Sequence, residues 1–167
     1  MKSAPDSQAK QPSITGGSAR RIDALSLLRW ASSISHRPIP KGMTPPPLVP
    51  TEPALLATMV CPGNPAQCST VVAAYSIETR EIYYLASFDL SKVLHRSFIV
   101  HEMVHFLQHF DQRVTVNQSC HHILRNEREA YGVQAAYLRR HGSIHASQIF
   151  PRMASCRPLG NNEESPE

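Results

Sequence analysis

Residues 92–110 contain neither proline nor glycine, and this stretch constrains the fold more than any other part of the chain. It predicts one α-helix, which Asp89 or Ser91 can cap and which runs to about Asp111. Apolar side chains cover most of the helix surface: Ile99, Val100, Met103, Val104, Phe106, Leu107 and Phe110. A helix that is apolar on most sides is buried. We therefore expect it at the centre of the protein.

One polar stripe interrupts this apolar surface, and it consists of Ser97, His101, His105 and Gln108. Burying an unpaired polar group costs about 1–3 kcal/mol, so these side chains need partners. A pair of hydrogen-bonded core histidines would satisfy that need, and so would a metal ion.

Two residues of the stripe, His101 and His105, are the histidines of an H-E-x-x-H pattern. Residues four apart lie on one face of a helix, so the two imidazoles can bind one Zn²⁺ from the same side. Glu102 lies about 100° away, within reach of a water molecule at that ion. Its predicted role is that of general base.

A catalytic zinc needs a third protein ligand. A second helix is predicted from its N-cap Ser119 to about Arg140, with Gly142 just past its end. Its inward seam is mainly apolar, and Glu127 stands in the middle of it. A carboxylate in that position should be paired or bound to a metal, so Glu127 is the predicted ligand. Glu129 is the alternative ligand, although its position about 200° further round favours a solvated surface acid.

Two further candidates on the first helix fit less well. His109 lies eight residues after His101, about 12 Å along the axis, which is too far to share one tetrahedral ion. Asp111 stands where a third ligand follows in H-E-x-x-H-x-x-G-x-x-H sites. Those sites use a glycine to turn the chain back, and here that position is Gln108.

The length of 167 residues suits one domain. The polar composition of residues 1–20 predicts a disordered tail, and residues 158–167 are expected to form a flexible tail. The domain itself is expected to comprise residues 21–157. Apolar spacing over residues 21–33 predicts a short amphipathic helix. Seven prolines in residues 37–53 predict an extended strap over the surface.

Two β-prone segments, residues 70–75 and 81–85, are joined by five residues and predict a β-hairpin. Residues 55–60 add another strand or a short helix. A short antiparallel sheet packed on two or three helices is an α+β fold.

Four cysteines, Cys61, Cys68, Cys120 and Cys156, permit two disulfides with three possible connectivities. Cys61 and Cys68 bracket a turn-rich loop that could close on itself, which would leave Cys120 for Cys156. Such bonds favour a secreted or periplasmic location, and four reduced, buried thiols are the alternative. The N-terminus lacks the apolar segment of a signal peptide, so we expect an exported form to have lost it.

The charge balance argues against binding to nucleic acid. Lys and Arg number 17 and Asp and Glu 13, which gives a net charge of +4, and no basic run is longer than two residues. No apolar stretch approaches 18 residues, so we expect no membrane-spanning helix.

The two helices together resemble the zincins, and among them the gluzincin type, in which H-E-x-x-H lies on one helix and a glutamate ligand on the next. Residues 126–131 resemble the E-x-x-A-x signature of several such families, with Glu127 and Ala130 in the matching places. A more specific likeness is to small bacterial metallopeptidases with a V-H-E-x-V-H-x-x-Q helix and an E-A-Y-x-x-Q helix, here residues 100–108 and 129–134. The likeness covers about residues 70–140.

This resemblance implies a zincin-like fold and Zn²⁺ on His101, His105 and Glu127, with Glu102 as the base. It implies hydrolysis of a peptide or protein substrate that lies extended along the hairpin. A metal-binding protein without turnover, acting as a binding or sensor module, is one rival interpretation. A metal-free interaction domain stapled by disulfides is the other.

The sequence departs from many gluzincins at Tyr131, where they have an Asp or Asn that binds a ligand histidine. Either Tyr131 or Gln134 is expected to take that role. Three tyrosines are candidates for stabilising the transition state: Tyr83, Tyr131 and Tyr137. For each of them, a role in packing alone is the alternative interpretation.

Overall fold

The computed structural model describes residues 23–111 and 119–147. Within these residues, four helices and three strands follow one another in this order: α1 (Ala24–Ser35), β1 (Leu48–Thr51), α2 (Pro53–Val60), β2 (Ala73–Ser76), β3 (Glu81–Leu85), α3 (Val93–Phe110) and α4 (Cys120–Arg140). Two short 3₁₀ turns follow α2 and α4, at Pro65–Cys68 and Ile144–Ser147. The predicted tails at residues 1–20 and 158–167 lie outside the described residues. The mixture of helices with a small sheet is an α+β arrangement.

Helix α3 is the central element, as its apolar surface predicted. It packs against α1, α4 and the sheet, and its apolar side chains from Ile99 to Val104 are fully buried. The helix begins at Val93, one turn later than a cap at Asp89 would place it. The reason is local, because the Asp89 carboxylate accepts hydrogen bonds from the N–H and hydroxyl of Ser91 and closes the turn that precedes the helix.

The sheet is mixed, which corrects the expectation of a purely antiparallel one. Strands β2 and β3 form the predicted hairpin, but β1 pairs with β3 in parallel, so the strand order is β1-β3-β2. Strand β1 belongs to the proline-rich segment, which therefore does more than cover the surface. Its Pro50 is tolerated because β1 is an edge strand, and the long connection through α2 and β2 permits parallel pairing.

Residues 53–60 form a helix, which resolves the choice between strand and helix at this point. Pro53 occupies the first helical position, where it has no N–H to leave unpaired. Beyond the helix, Cys61 and Cys68 lie at disulfide distance, with their Cα atoms 6.0 Å apart. The other predicted pairing, Cys120 with Cys156, lies outside the described residues because Cys156 does.

A capping side chain marks the start of α1 and of α4. Asp23 accepts the N–H of Leu25 at the start of α1, and Ser119 accepts the N–H of His122 at the start of α4. Trp30 of α1 packs edge-on against Tyr137 of α4, with ring centroids 5.1 Å apart.

Among the helices that the structure describes, none has the length and apolar character needed to cross a membrane.

Candidate metal centre

Three side chains from α3 and α4 converge on one point. The Nε2 atoms of His101 and His105 lie 3.1 Å apart. Glu127 places one carboxylate oxygen 3.4 Å from Nε2 of His101 and the other 3.3 Å from Nε2 of His105. His101 is buried, whereas His105 and Glu127 are partly buried. These residues could hold a metal ion.

The spacing of these donor atoms suits a small ion. Zinc binds imidazole nitrogen and carboxylate oxygen at about 2.0–2.1 Å, which places two donors of a tetrahedral site about 3.3 Å apart. The two Nε2 atoms are 3.1 Å apart, and the contacts of His101 and His105 with Glu127 go to different carboxylate oxygens. With one atom taken from each residue, the three donors lie within 4.8 Å of one another, so they could hold a metal ion.

A glutamine from α4 sets the ring of His101. Nδ1 of His101 lies 3.2 Å from Oε1 of Gln134, and Nε2 of Gln134 donates to the hydroxyl oxygen of Ser97. That hydroxyl in turn donates to the carbonyl of Leu94. Because Ser97 uses its hydrogen there, it can only accept from Gln134. The amide oxygen must then face His101, whose Nδ1 carries a hydrogen, so Nε2 is the nitrogen left to bind a metal ion.

A second glutamine does the same for His105. Nδ1 of His105 lies 2.9 Å from Oε1 of Gln108. Nε2 of Gln108 donates to the carbonyl of Asn126 at 3.0 Å and to Oε2 of Glu129 at 3.1 Å. Both partners only accept, so the amide orientation is defined and His105 is also protonated at Nδ1.

The charges in the centre favour a cation. Burial alone would raise the pKa of Glu127, but hydrogen bonds with His101 and His105 outweigh it and hold that pKa well below its usual range. Burial would lower the pKa of His105, yet the hydrogen bond with Glu127 and the charge of Glu102 raise it to about 9. The raised pKa of His105 reflects the negative charge of these carboxylates, and a bound metal ion would take the place of that proton.

Glu102 stands beside this centre and is held by the sheet. Its Oε2 accepts the backbone N–H of Tyr75 in β2 at 2.8 Å. The register explains this contact. Val72 accepts a hydrogen bond from Leu85 of β3, and pairing alternates along antiparallel strands, so the backbone groups of Ala73 and Tyr75 point away from β3. The open edge of β2 thus faces the H-E-x-x-H helix.

A groove of about 680 Å³ runs over the centre. Residues 70–75 and Ile77 line it together with side chains of α3 and α4. Three apolar side chains of the lining are exposed by 40–49%: Val60, Ile77 and Ile123. The groove therefore combines apolar surface with the polar groups of the candidate centre, and Thr70, His109 and Asn126 add further polar lining.

The structure places the remaining candidate ligands away from the three donors. Both carboxylate oxygens of Glu129 bind Arg37 at 2.7 Å, and Asp111 binds the same guanidinium at 2.6 Å. Nδ1 of His109 lies 2.8 Å from the hydroxyl of Tyr75.

The three tyrosines considered for transition-state stabilisation have different surroundings. Tyr131 lines the groove and packs its ring against His101, with centroids 4.4 Å apart. The hydroxyl of Tyr83 donates to the carboxylate of Glu81 and lies 3.1 Å from the hydroxyl of Thr79 in the hairpin turn, and that of Tyr137 accepts from Arg96.

Three contributors to the site had no predicted role at the metal centre. Gln108 was visible as a member of the polar stripe on α3, and the need of a buried amide for partners was the available signal. Arg37 and the backbone N–H of Tyr75 gave no signal, because nothing in their local sequence indicates what they contact.

Comparison of the chain with protein-family models, with curated proteins and with solved structures finds no match.

Proposed function

We propose that this protein is a zinc-dependent peptidase of the gluzincin type, with a zincin-like fold. One observation carries the proposal. The Nε2 atoms of His101 and His105 and the carboxylate of Glu127 converge at 3.1–3.4 Å beside a second carboxylate, Glu102, in an open groove. Three ligands with an adjacent base are the set that zinc hydrolases use.

A zinc ion on His101, His105 and Glu127 would acidify a water molecule and polarise a peptide carbonyl. Glu102 accepts a proton from the attacking water as its oxygen bonds to the carbonyl carbon. The same carboxyl then gives that proton to the amide nitrogen as the carbon–nitrogen bond breaks. The bond from Tyr75 N–H keeps the Glu102 carboxylate at the wall of the groove while it does so.

The open edge of β2 supports an extended peptide as the substrate. Ala73 directs its N–H and C=O into the groove, where a substrate strand can pair with them. The apolar side chains of Val60, Ile77 and Ile123 favour apolar residues in that peptide. We assign Tyr131 to the stabilisation of the transition state, because it lines the groove next to His101.

The first experiment is metal analysis by elemental mass spectrometry on protein purified without a histidine tag. We expect about one zinc per chain in the wild type and in Glu102→Gln, and none in Glu127→Gln. Fluorogenic peptides with apolar residues then test hydrolysis. Loss of the general base should reduce the rate by about 10²–10⁴-fold in Glu102→Gln.

Each failure of this experiment points to a different function. Full hydrolysis by Glu102→Gln would overturn the proposed mechanism. Zinc binding without cleavage of any peptide would favour the binding or sensor module. A wild type that takes up no zinc even after incubation with the metal would favour the stapled interaction domain.

A further inference from the structure

We propose that Glu129 and Arg37 are positioning residues for the metal centre, acting on His105 through Gln108. The proposal rests on the metal site of the proposed function and deepens it. It gives a task to a carboxylate that lies two residues from Glu127 and points elsewhere.

The first step is the orientation of Gln108. This side chain is 1% exposed, and its amide group has three neighbours. Two of them, the carbonyl of Asn126 and the carboxylate of Glu129, only accept hydrogen bonds. If the amide were turned over, its oxygen would face both of them and three acceptors would meet in a buried place. Glu129 therefore favours the orientation that presents Oε1 to His105.

The second step is the effect of that orientation on His105. Oε1 of Gln108 accepts the hydrogen on Nδ1 at 2.9 Å. Nε2, the atom that is 3.3 Å from Glu127, is then the nitrogen that can offer a lone pair to a metal ion. With the amide turned over, its N–H₂ group would face Nδ1 and favour a hydrogen on Nε2, where it would block the metal.

The third step is what holds Glu129. Arg37 donates to both of its carboxylate oxygens at 2.7 Å, in the forked geometry that guanidinium and carboxylate share. Its side chain is only 11% exposed, and its third bond goes to Asp111. Arg37 is 92 residues from Glu129 in the chain. The start of the proline-rich segment thereby supports a metal ligand on α3.

Asp111 supplies a matched control, because both carboxylates bind Arg37 and Glu129 is the one to which Gln108 donates a hydrogen bond. We would measure zinc affinity by competition with a chromophoric chelator, and the free energy of unfolding, for wild type, Glu129→Gln and Asp111→Asn. We expect zinc affinity to fall about tenfold or more in Glu129→Gln, within the range known for residues that support metal ligands. Asp111→Asn should stay within about twofold of the wild type, since it leaves Gln108 untouched.

A double mutant tests the route through Gln108. Gln108→Met removes the acceptor for Nδ1, so it should weaken zinc binding at least as much as Glu129→Gln. The double variant should then bind no more weakly than Gln108→Met alone. Additive losses would mean that Glu129 acts by another route and would overturn the proposal.

A spectroscopic readout separates positioning from simple stability. Long-range ¹H–¹⁵N spectra of the zinc-loaded protein follow the exchange of the His105 Nδ1–H with solvent. We expect faster exchange in Glu129→Gln than in Asp111→Asn, even where the two variants unfold at the same denaturant concentration.

Three results would overturn the proposal. Unchanged zinc affinity in Glu129→Gln would do so while the metal site itself stands. Equal losses in Glu129→Gln and Asp111→Asn would leave Glu129 only a structural part of the Arg37 ion cluster. A wild type without zinc affinity would remove the proposed function and this inference together.

Discussion

The backbone N–H of Tyr75 donates to Oε2 of Glu102 at 2.8 Å, and this bond joins the open edge of β2 to the H-E-x-x-H helix. The two residues are 27 positions apart in the chain. The contact exists because Tyr75 occupies a strand position whose backbone groups face away from β3. It fixes the proposed base relative to the strand on which a substrate would lie.

Removing this N–H should reduce hydrolysis without loss of zinc. In Tyr75→Pro the N–H is absent, yet the sheet loses no hydrogen bond because that group does not pair with β3. Tyr75→Val removes the same ring but keeps the N–H and is the matched control. A hydrogen bond to a charged group contributes about 1.5–3 kcal/mol, so kcat/KM should be at least about tenfold lower in the proline variant. Equal kcat/KM in the two variants, at equal zinc content, would contradict this role.

Zinc should stabilise the folded protein, because a ligand that binds the folded state adds its binding free energy to the unfolding reaction. At a free zinc concentration of 100 times Kd the gain is about 2.7 kcal/mol. For a chain of this size that corresponds to a rise in Tm of about 8 °C, which calorimetry would measure and a chelator should reverse. Glu127→Gln should show no rise. If the protein is instead a metal-free interaction domain stapled by disulfides, neither zinc nor a chelator should change its Tm.

Ser97→Ala should weaken both the fold and the metal centre. Ser97 is fully buried and is the acceptor that orients Gln134. Without it an amide N–H is left unpaired, at a cost of about 1–3 kcal/mol in urea unfolding, and His101 loses its fixed partner. Zinc affinity should therefore fall several-fold. Thr58→Ala is the control, because this exposed hydroxyl also donates to a carbonyl of its own helix. Its effect should stay within about 0.5 kcal/mol, and a similar loss of zinc affinity in both variants would refute the role of Ser97.

Replacing both Cys61 and Cys68 by alanine should lower stability and leave zinc affinity unchanged. The eight residues from Cys61 to Cys68 form a short loop, and the chain-entropy model gives about 2.5 kcal/mol for closing it. Replacement isolates this bond, whereas a reductant would act on every disulfide. Urea unfolding checks the stability and chelator competition the affinity. An unchanged free energy of unfolding would show that the bond contributes nothing to the fold.

Much of the centre was predictable because it depends on local periodicity. A proline-free and glycine-free stretch with ten apolar residues was expected to form a buried helix, and the spacing of His101 and His105 put both on one face. Glu127 was predicted from its place in an apolar seam, and the structure brings it to the two histidines. The same reasoning could not separate a helix from a strand at residues 55–60, since six residues are too few to show a period.

The partners of the site were not predictable in this way. Gln108 and Gln134 were polar residues on inward faces, but which histidine each would meet depends on the rotation of α4 against α3. That rotation results from the packing of both helix surfaces at once. The parallel pairing of β1 with β3 was missed because seven prolines concealed a strand whose partner lies more than thirty residues away.

The sequence by itself determined which residues share a face. An α-helix completes a turn every 3.6 residues. The positions of two imidazoles and an adjacent carboxylate on the surface of α3 therefore follow from the sequence alone, whatever the helix packs against. Only the tertiary structure decided how those groups are held. Arg37, Glu129 and Gln108 come from three separate parts of the chain, and the N–H of Tyr75 reaches Glu102 through the register of a hairpin. Such contacts depend on distances between elements, which no local pattern records.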